Sequence, residues 1–121
     1  MKPTVEIRTK SSLTSEEYNR IETLRLKNGL LWDFFLENHG GMCILVKVDD
    51  LIVSWGFLFL DDLDDEDSFQ LHCYTSRYHR RKGYGTLVVE EAIKIAGEVE
   101  ISKWNEQAAA FYDNFENVQE I

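Results

Sequence analysis

From Thr4 to Thr9 polar and apolar residues alternate, with Val5 and Ile7 on one side and Glu6 and Arg8 on the other, which predicts a first strand of about five residues. Thr14 followed three residues later by Glu17 is a capping-box pattern and predicts a helix start. Tyr18, Ile21 and Leu24 supply its apolar stripe, and Asn28-Gly29 supplies a C-terminal cap. A second helical segment, Leu30 to Glu37, carries Leu31, Trp32, Phe34 and Phe35 and stops near Gly40-Gly41. Met42 to Val48 and Leu51 to Leu60 read as two apolar, central strands joined by a tight turn at Asp49-Asp50. Ser68 to Thr75 reads as another strand. From Thr86 to Ala96 the spacing of Val88, Ala92 and Ile95, with Val89, Ile93 and Ala96, is helical, and Gly97 ends it. Val99 to Trp104 is a short strand, and Asn105 to Phe115 a last helix with Phe111 and Phe115 as an i, i+4 apolar pair.

Burying these apolar strands calls for a central sheet covered by helices. The fold class is therefore α/β, with mixed α+β layers, and the Ser68-to-Trp104 portion is a strand-helix-strand unit expected to cross over right-handed. A length of 121 residues suits one domain spanning 1–121.

Charge sharpens the picture. The formal net charge is -9, and no Lys or Arg lies between Lys47 and Arg77, where Asp61, Asp62, Asp64, Asp65, Glu66 and Asp67 form an acidic run. That run reads as a solvated loop or as an attractor of a cationic partner; it lacks the ligand spacing and glycine of an EF-hand, and no metal site is expected. The N-terminal MKPTVEIRTKSS lacks the apolar run of a signal peptide, and no segment approaches the ~20 apolar residues of a membrane span. A cytoplasmic protein with no membrane partner is expected. Cys43 and Cys73 lie inside apolar strands and read as buried thiols.

Against this acidity, four of the thirteen Lys and Arg residues fall between Arg77 and Lys82. They lead into Arg80-Arg81-Lys82-Gly83-Tyr84-Gly85, between a strand and a helix. Glycines there allow a tight turn that presents bare N–H groups, and a helix N-terminus adds partial positive charge, so the element suits an anion such as a phosphate.

This loop resembles the R/Q-x-x-G-x-G/A pyrophosphate-binding loop of the GNAT superfamily of acetyl-CoA-dependent N-acetyltransferases. Asn105, Ala108, Phe111 and Tyr112 resemble the family's downstream N-x-x-A-x-x-F-Y signature, and Ser54-Trp55-Gly56-Phe57 sits where its third strand often carries a glycine. The resemblance covers roughly residues 40 to 115. It implies a central mixed, mostly antiparallel sheet flanked by helices on both faces. It also implies acetyl-CoA as co-substrate, its pyrophosphate held by backbone amides from Arg81 to Thr86, including those of Lys82, Gly83, Tyr84 and Gly85. Side chains of Arg80, Arg81 and Lys82 add charge toward the phosphates. By position, backbone groups of Cys73, Tyr74 and Thr75 would meet the pantetheine arm, and one amide would polarise the thioester carbonyl. Asn105 would contact the cofactor arm or order its segment.

Transfer of acetyl to a primary amine by direct attack needs a neutral amine, stabilisation of a tetrahedral intermediate and a proton for the departing thiolate. Tyr112 matches the family's usual proton donor, although a helical tyrosine is often simply packed on the sheet. His72, two residues before Tyr74, and Glu66, acting through water, are the candidate general bases. The expected acceptor is a cationic amine, on a small molecule or as a protein lysine or N-terminus.

The pattern departs from the family where Thr75 and Arg77 stand in place of an apolar residue and a proline, and where Glu116 and Asn117 replace a glycine-aromatic pair. After Phe115 there is room for one short strand but not for the family's final hairpin, so the acceptor side is either incomplete or completed by another subunit, as in a homodimer. Two other readings compete. One is a catalytically silent, CoA-binding or partner-binding module on the same fold. The other is nucleic-acid binding through the interleaved basic and aromatic residues Arg77 to Lys82, which the net charge opposes.

Overall fold

A computed structural model gives the structure of residues 2–24, 41–61, 68–75, 82–101, 111, 115 and 118–120. The elements are β1 (Thr4–Arg8), α1 (Ser15–Leu24), β2 (Met42–Val48), β3 (Leu51–Asp61), β4 (Ser68–Thr75), α2 (Tyr84–Ala96), β5 (Val99–Ile101) and β6 (Val118–Glu120). The strands form one sheet in the order β1-β2-β3-β4-β5-β6. Pairing is antiparallel from β1 to β4, then parallel for β4 with β5 and for β5 with β6. Two-residue loops can join only antiparallel neighbours, whereas the parallel β4–β5 step requires the crossover that α2 supplies.

The β2–β3 turn is as tight as the pattern predicted. Asp49 and Asp50 both adopt left-handed backbone, at φ 54° and 63°. Such a pair matches the right-handed twist of the strands it joins. A register shift near Val46 and Lys47 shows an irregularity in the same ladder.

Each face of the sheet has its own core. On one, α2 lays Val88, Val89 and Ala92 against Ile44, Val46, Val53, Leu58, Leu71 and Val99. On the other, Ile21 of α1 packs with Cys43, Leu45, Ile52, Trp55 and Phe57. The mixed, mostly antiparallel sheet with helices on both faces is thus the predicted fold class. The period-2 alternation explains how one strand serves both cores: Ile44 and Cys43 are successive residues, and both are fully buried.

Several boundaries shift. The helix expected from Thr86 starts at Tyr84, because the turn at Gly83 already closes the bond from Leu87 N–H to Gly83 O, at 3.3 Å. Gly97 closes the other end, its N–H donating to Ile93 O. Tyr18, placed on the apolar stripe of α1, is 39% exposed, and Glu17 takes the buried position instead. The segment Leu30 to Glu37, the Asn28-Gly29 cap, the acidic residues 62–67 and most of the Asn105-to-Phe115 helix lie outside the described residues. Phe111 and Phe115 do meet, edge to face, with ring centroids 5.4 Å apart.

Candidate functional site

Helices α1 and α2 begin in opposite ways. At α1, Thr14 and Glu17 cap each other: Glu17 N–H donates to Thr14 Oγ1 at 3.1 Å, and Thr14 N–H donates to Glu17 Oε1 at 2.9 Å. Its first turn also carries Glu16 and Glu17, which satisfy the positive end of the helix from within. At α2 the N-cap is Gly83, at φ 81°, no side chain caps the helix, and the first turn has no acidic residue. Among the described residues a Cβ at Gly83 would meet nothing within 4 Å, and the exposed Lys82 stands beside it. An unblocked helix start with a cation alongside is suited to an anion.

The same turn is seated on the sheet. A Cβ at Gly85 would lie 3.3 Å from Thr75 Oγ1, tighter than most packed contacts, and 3.4 Å from Phe111 Cζ, at the near edge of ordinary contact. Absence of a side chain therefore lets α2 approach the C-terminal end of β4. Thr75 itself is in register with Ser54 of β3, and the two hydroxyl oxygens are 2.9 Å apart. Gly56, in the buried middle of β3, is in register with Cys73. The parallel pairing of β4 with β5 is recorded at Gln70 and Glu100, from which β4 runs on toward Thr75 and the helix start.

Of the residues expected to act, Lys82, Gly83, Tyr84, Gly85 and Thr86 fall together at this helix start, and Cys73, Tyr74 and Thr75 form the strand end leading to it. His72 is in register with Phe57 and Tyr74 with Trp55, so both occupy strand positions alternating with Cys73 and Thr75. Arg80, Arg81, Glu66, Asn105 and Tyr112 lie outside the described residues. Cys43 is fully buried and Cys73 half-buried, and neither is in a disulfide.

A polar cluster that the sequence did not suggest lies on the α1 side. Glu17, only 4% exposed, receives Arg8 Nε at 3.0 Å and Lys47 Nζ at 2.6 Å, while Glu6 receives the same two cations at 2.7 and 3.0 Å. Burial pushes the Glu17 carboxyl up, but the hydrogen bonds from Lys47, the Thr14 backbone and Arg8 outweigh it and bring it down to about 2. Hydrogen bonds from Arg8 and then Lys47 likewise hold Glu6 low. The one signal in the sequence was the capping box, which located Glu17 without revealing its partners.

A family model described as the acetyltransferase (GNAT) family matches residues 6–115. The chain belongs to the GNAT acetyltransferase family. Solved structures share its fold at low identity. An aminoglycoside N-acetyltransferase, AAC(6')-Iy, in complex with CoA, superposes with a TM-score of 0.70 at 12% identity, covering 98% of this chain and 95% of that one. A ribosomal-protein-alanine N-acetyltransferase from Brucella melitensis biovar Abortus 2308 gives 0.63 at 11% identity, covering 93% and 90%. An integron cassette protein from the mobile metagenome of V. cholerae gives 0.67 at 17%, covering 94% and 84%. No curated protein sequence matches the chain. Among the described residues of this GNAT chain, no helix is long and apolar enough to cross a membrane.

Proposed function

We propose that the chain is an N-acetyltransferase that moves the acetyl group of acetyl-CoA to a primary amine, acting as one domain across residues 1–121. The observation that carries this reading is the start of α2. It is a left-handed glycine turn without a capping side chain or first-turn carboxylate, and it is seated on the end of β4 through Gly85. Family membership, and the CoA bound in the AAC(6')-Iy relative, support acetyl-CoA as the source of that anion.

Acetyl-CoA brings an activated thioester and a pyrophosphate. Backbone amides from Lys82 to Thr86 hold the pyrophosphate, with Arg80, Arg81 and Lys82 adding positive charge. Backbone groups of Cys73, Tyr74 and Thr75 align the pantetheine arm. The neutral amine attacks the acetyl carbon, the C–N bond forms, the C–S bond breaks, and the Tyr112 hydroxyl gives its proton to the departing sulfur. Asn105 orders the segment that brings Tyr112 to this point. His72, or Glu66 through water, takes the proton from the amine. The net charge of -9 favours cationic acceptors over anionic ones.

Thermal denaturation with and without acetyl-CoA or CoA tests the reading. Both ligands raise Tm by mass action, and Gly83→Val, which cannot hold φ 81° without strain, abolishes the rise. A panel of amine acceptors then gives acetylated product with the wild-type chain and much less with Tyr112→Phe. No binding of either ligand at millimolar concentration refutes the proposal. Binding without acetylation of any amine identifies a silent CoA-binding member instead.

A further inference from the structure

Ser54 is completely buried, yet it is a hydroxyl in a β3 stretch that is otherwise apolar or glycine from Ile52 to Leu58. Burying a hydroxyl is costly unless it is hydrogen-bonded, so its position calls for a partner. One partner is Thr75 Oγ1 at 2.9 Å, on the last residue of β4. The same Thr75 oxygen is what a Cβ at Gly85 would crowd, at 3.3 Å. Three elements therefore meet at one oxygen: β3 through Ser54, β4 through its own chain, and the first turn of α2 through Gly85.

We infer that Thr75 is a positioning residue, its hydroxyl pinned by Ser54 so that it sets where the first turn of α2 sits relative to the end of β4. This rests on the acetyl-CoA reading and deepens it. The phosphates belong to the α2 turn and the pantetheine arm to β4, so one ligand spans both elements and senses their relative placement. A fixed hydroxyl between them holds the two halves of the site in register. Phe111 also approaches the same Cβ position, at 3.4 Å. A valine at Thr75 keeps the shape and the backbone amide but removes the oxygen; a serine keeps the oxygen.

The test compares wild type, Thr75→Val and Thr75→Ser for binding of CoA and of pantetheine, which lacks every phosphate, by titration calorimetry. Amide hydrogen exchange along α2 of the unliganded proteins accompanies it. With Thr75→Val, CoA is expected to bind about tenfold more weakly, the scale of one lost hydrogen bond. Pantetheine binding should change less than about twofold, and exchange should quicken from Tyr84 to Leu87 but not further along the helix. Thr75→Ser should restore wild-type values in each. Merely lost stability would weaken both ligands alike and quicken exchange throughout. That pattern, unchanged CoA affinity in Thr75→Val, or failure of Thr75→Ser to rescue overturns the inference, and where pantetheine binds too weakly to measure the exchange pattern decides. If wild type itself binds no CoA, the acetyl-CoA reading fails and this inference goes with it. If wild type binds CoA and Thr75→Val binds it equally well, this inference alone is lost.

Discussion

Glu17→Gln separates two jobs done by one side chain. Glutamine fits the third position of a capping box as well as glutamate does, so the reciprocal bonds with Thr14 can survive. The negative charge facing Arg8 and Lys47 does not. The carboxyl is brought from 4.5 to about 2 in the folded protein. At about 1.4 kcal/mol per pKa unit, this corresponds to about 3 kcal/mol favouring the ionised form. Glu6 remains to pair both cations, which moderates the loss, but Glu17 is almost fully excluded from water and screening there is weak.

Urea denaturation at neutral pH, followed by tryptophan fluorescence, should therefore show Glu17→Gln destabilised by about 2 to 3 kcal/mol with an unchanged m-value. Glu17→Ala should lose about 1 kcal/mol more, the share of the cap. The pH dependence has a definite sign. Because the folded pKa is depressed, the stabilisation is complete above the unfolded value of 4.5 and is lost as pH falls toward about 2. The gap between wild type and Glu17→Gln should close over that window, since protonated glutamate and glutamine are then both neutral. A neutral-pH difference below about 0.5 kcal/mol, the scatter of an ordinary surface substitution, would refute the assignment. So would a gap that persists unchanged in acid.

Other outcomes follow from the same structure. Asp49 and Asp50 both hold positive φ, so the pair Asp49→Asn with Asp50→Gly should stabilise the hairpin by about 1 kcal/mol, visible as a rise of a few degrees in Tm. Cys43 is fully buried and its thiol is pushed strongly upward, first by burial and then by the nearby Glu17 charge. It should resist a thiol reagent at neutral pH in the native protein and react only on unfolding, whereas a Cys43 that labels as fast as free cysteine would contradict the packing. Trp55→Ala, at a residue 1% exposed in the α1-side core, should cost about 3 to 5 kcal/mol in the same urea assay without altering the β3–β4 register.

What could be read from the sequence, and what could not, divides by the range of the interaction. Strands β1 to β4, the start of β5 at Val99, the Asp49-Asp50 turn, the capping box and the end of α2 at Gly97 are set by neighbouring residues, and each stands within a residue of where periodicity and turn chemistry place it. The glycine turn before α2 was visible for the same reason. Its two glycines nevertheless serve different ends: Gly83 supplies a backbone angle, whereas Gly85 leaves room for Thr75 and Phe111. Spacing alone presents them as a pair. The distinction depends on contacts between residues ten and twenty-six positions apart, which no local pattern encodes.

The first strand shows how such a contact can reverse an expectation. Alternation in β1 gives an apolar side, Val5 and Ile7, and a polar side, Glu6 and Arg8, and ordinarily the apolar side is the sheltered one. Here Val5 and Ile7 are 36% and 39% exposed, while Arg8 is 21% exposed and reaches Glu17. The register explains it. Thr4 stands opposite Lys47 and Arg8 opposite Cys43, which puts the polar side of β1 on the α1 face beside Glu17. Val5 and Ile7 stand opposite Val46 and Ile44, on the α2 face, but at the sheet edge, where α2 gives little cover. A single capping glutamate thus recruits the edge strand through charge rather than through apolar burial. If that is how β1 is held, Glu17→Gln should quicken amide exchange in β1 more than in β3 or β4, and uniform quickening across the sheet would count against it.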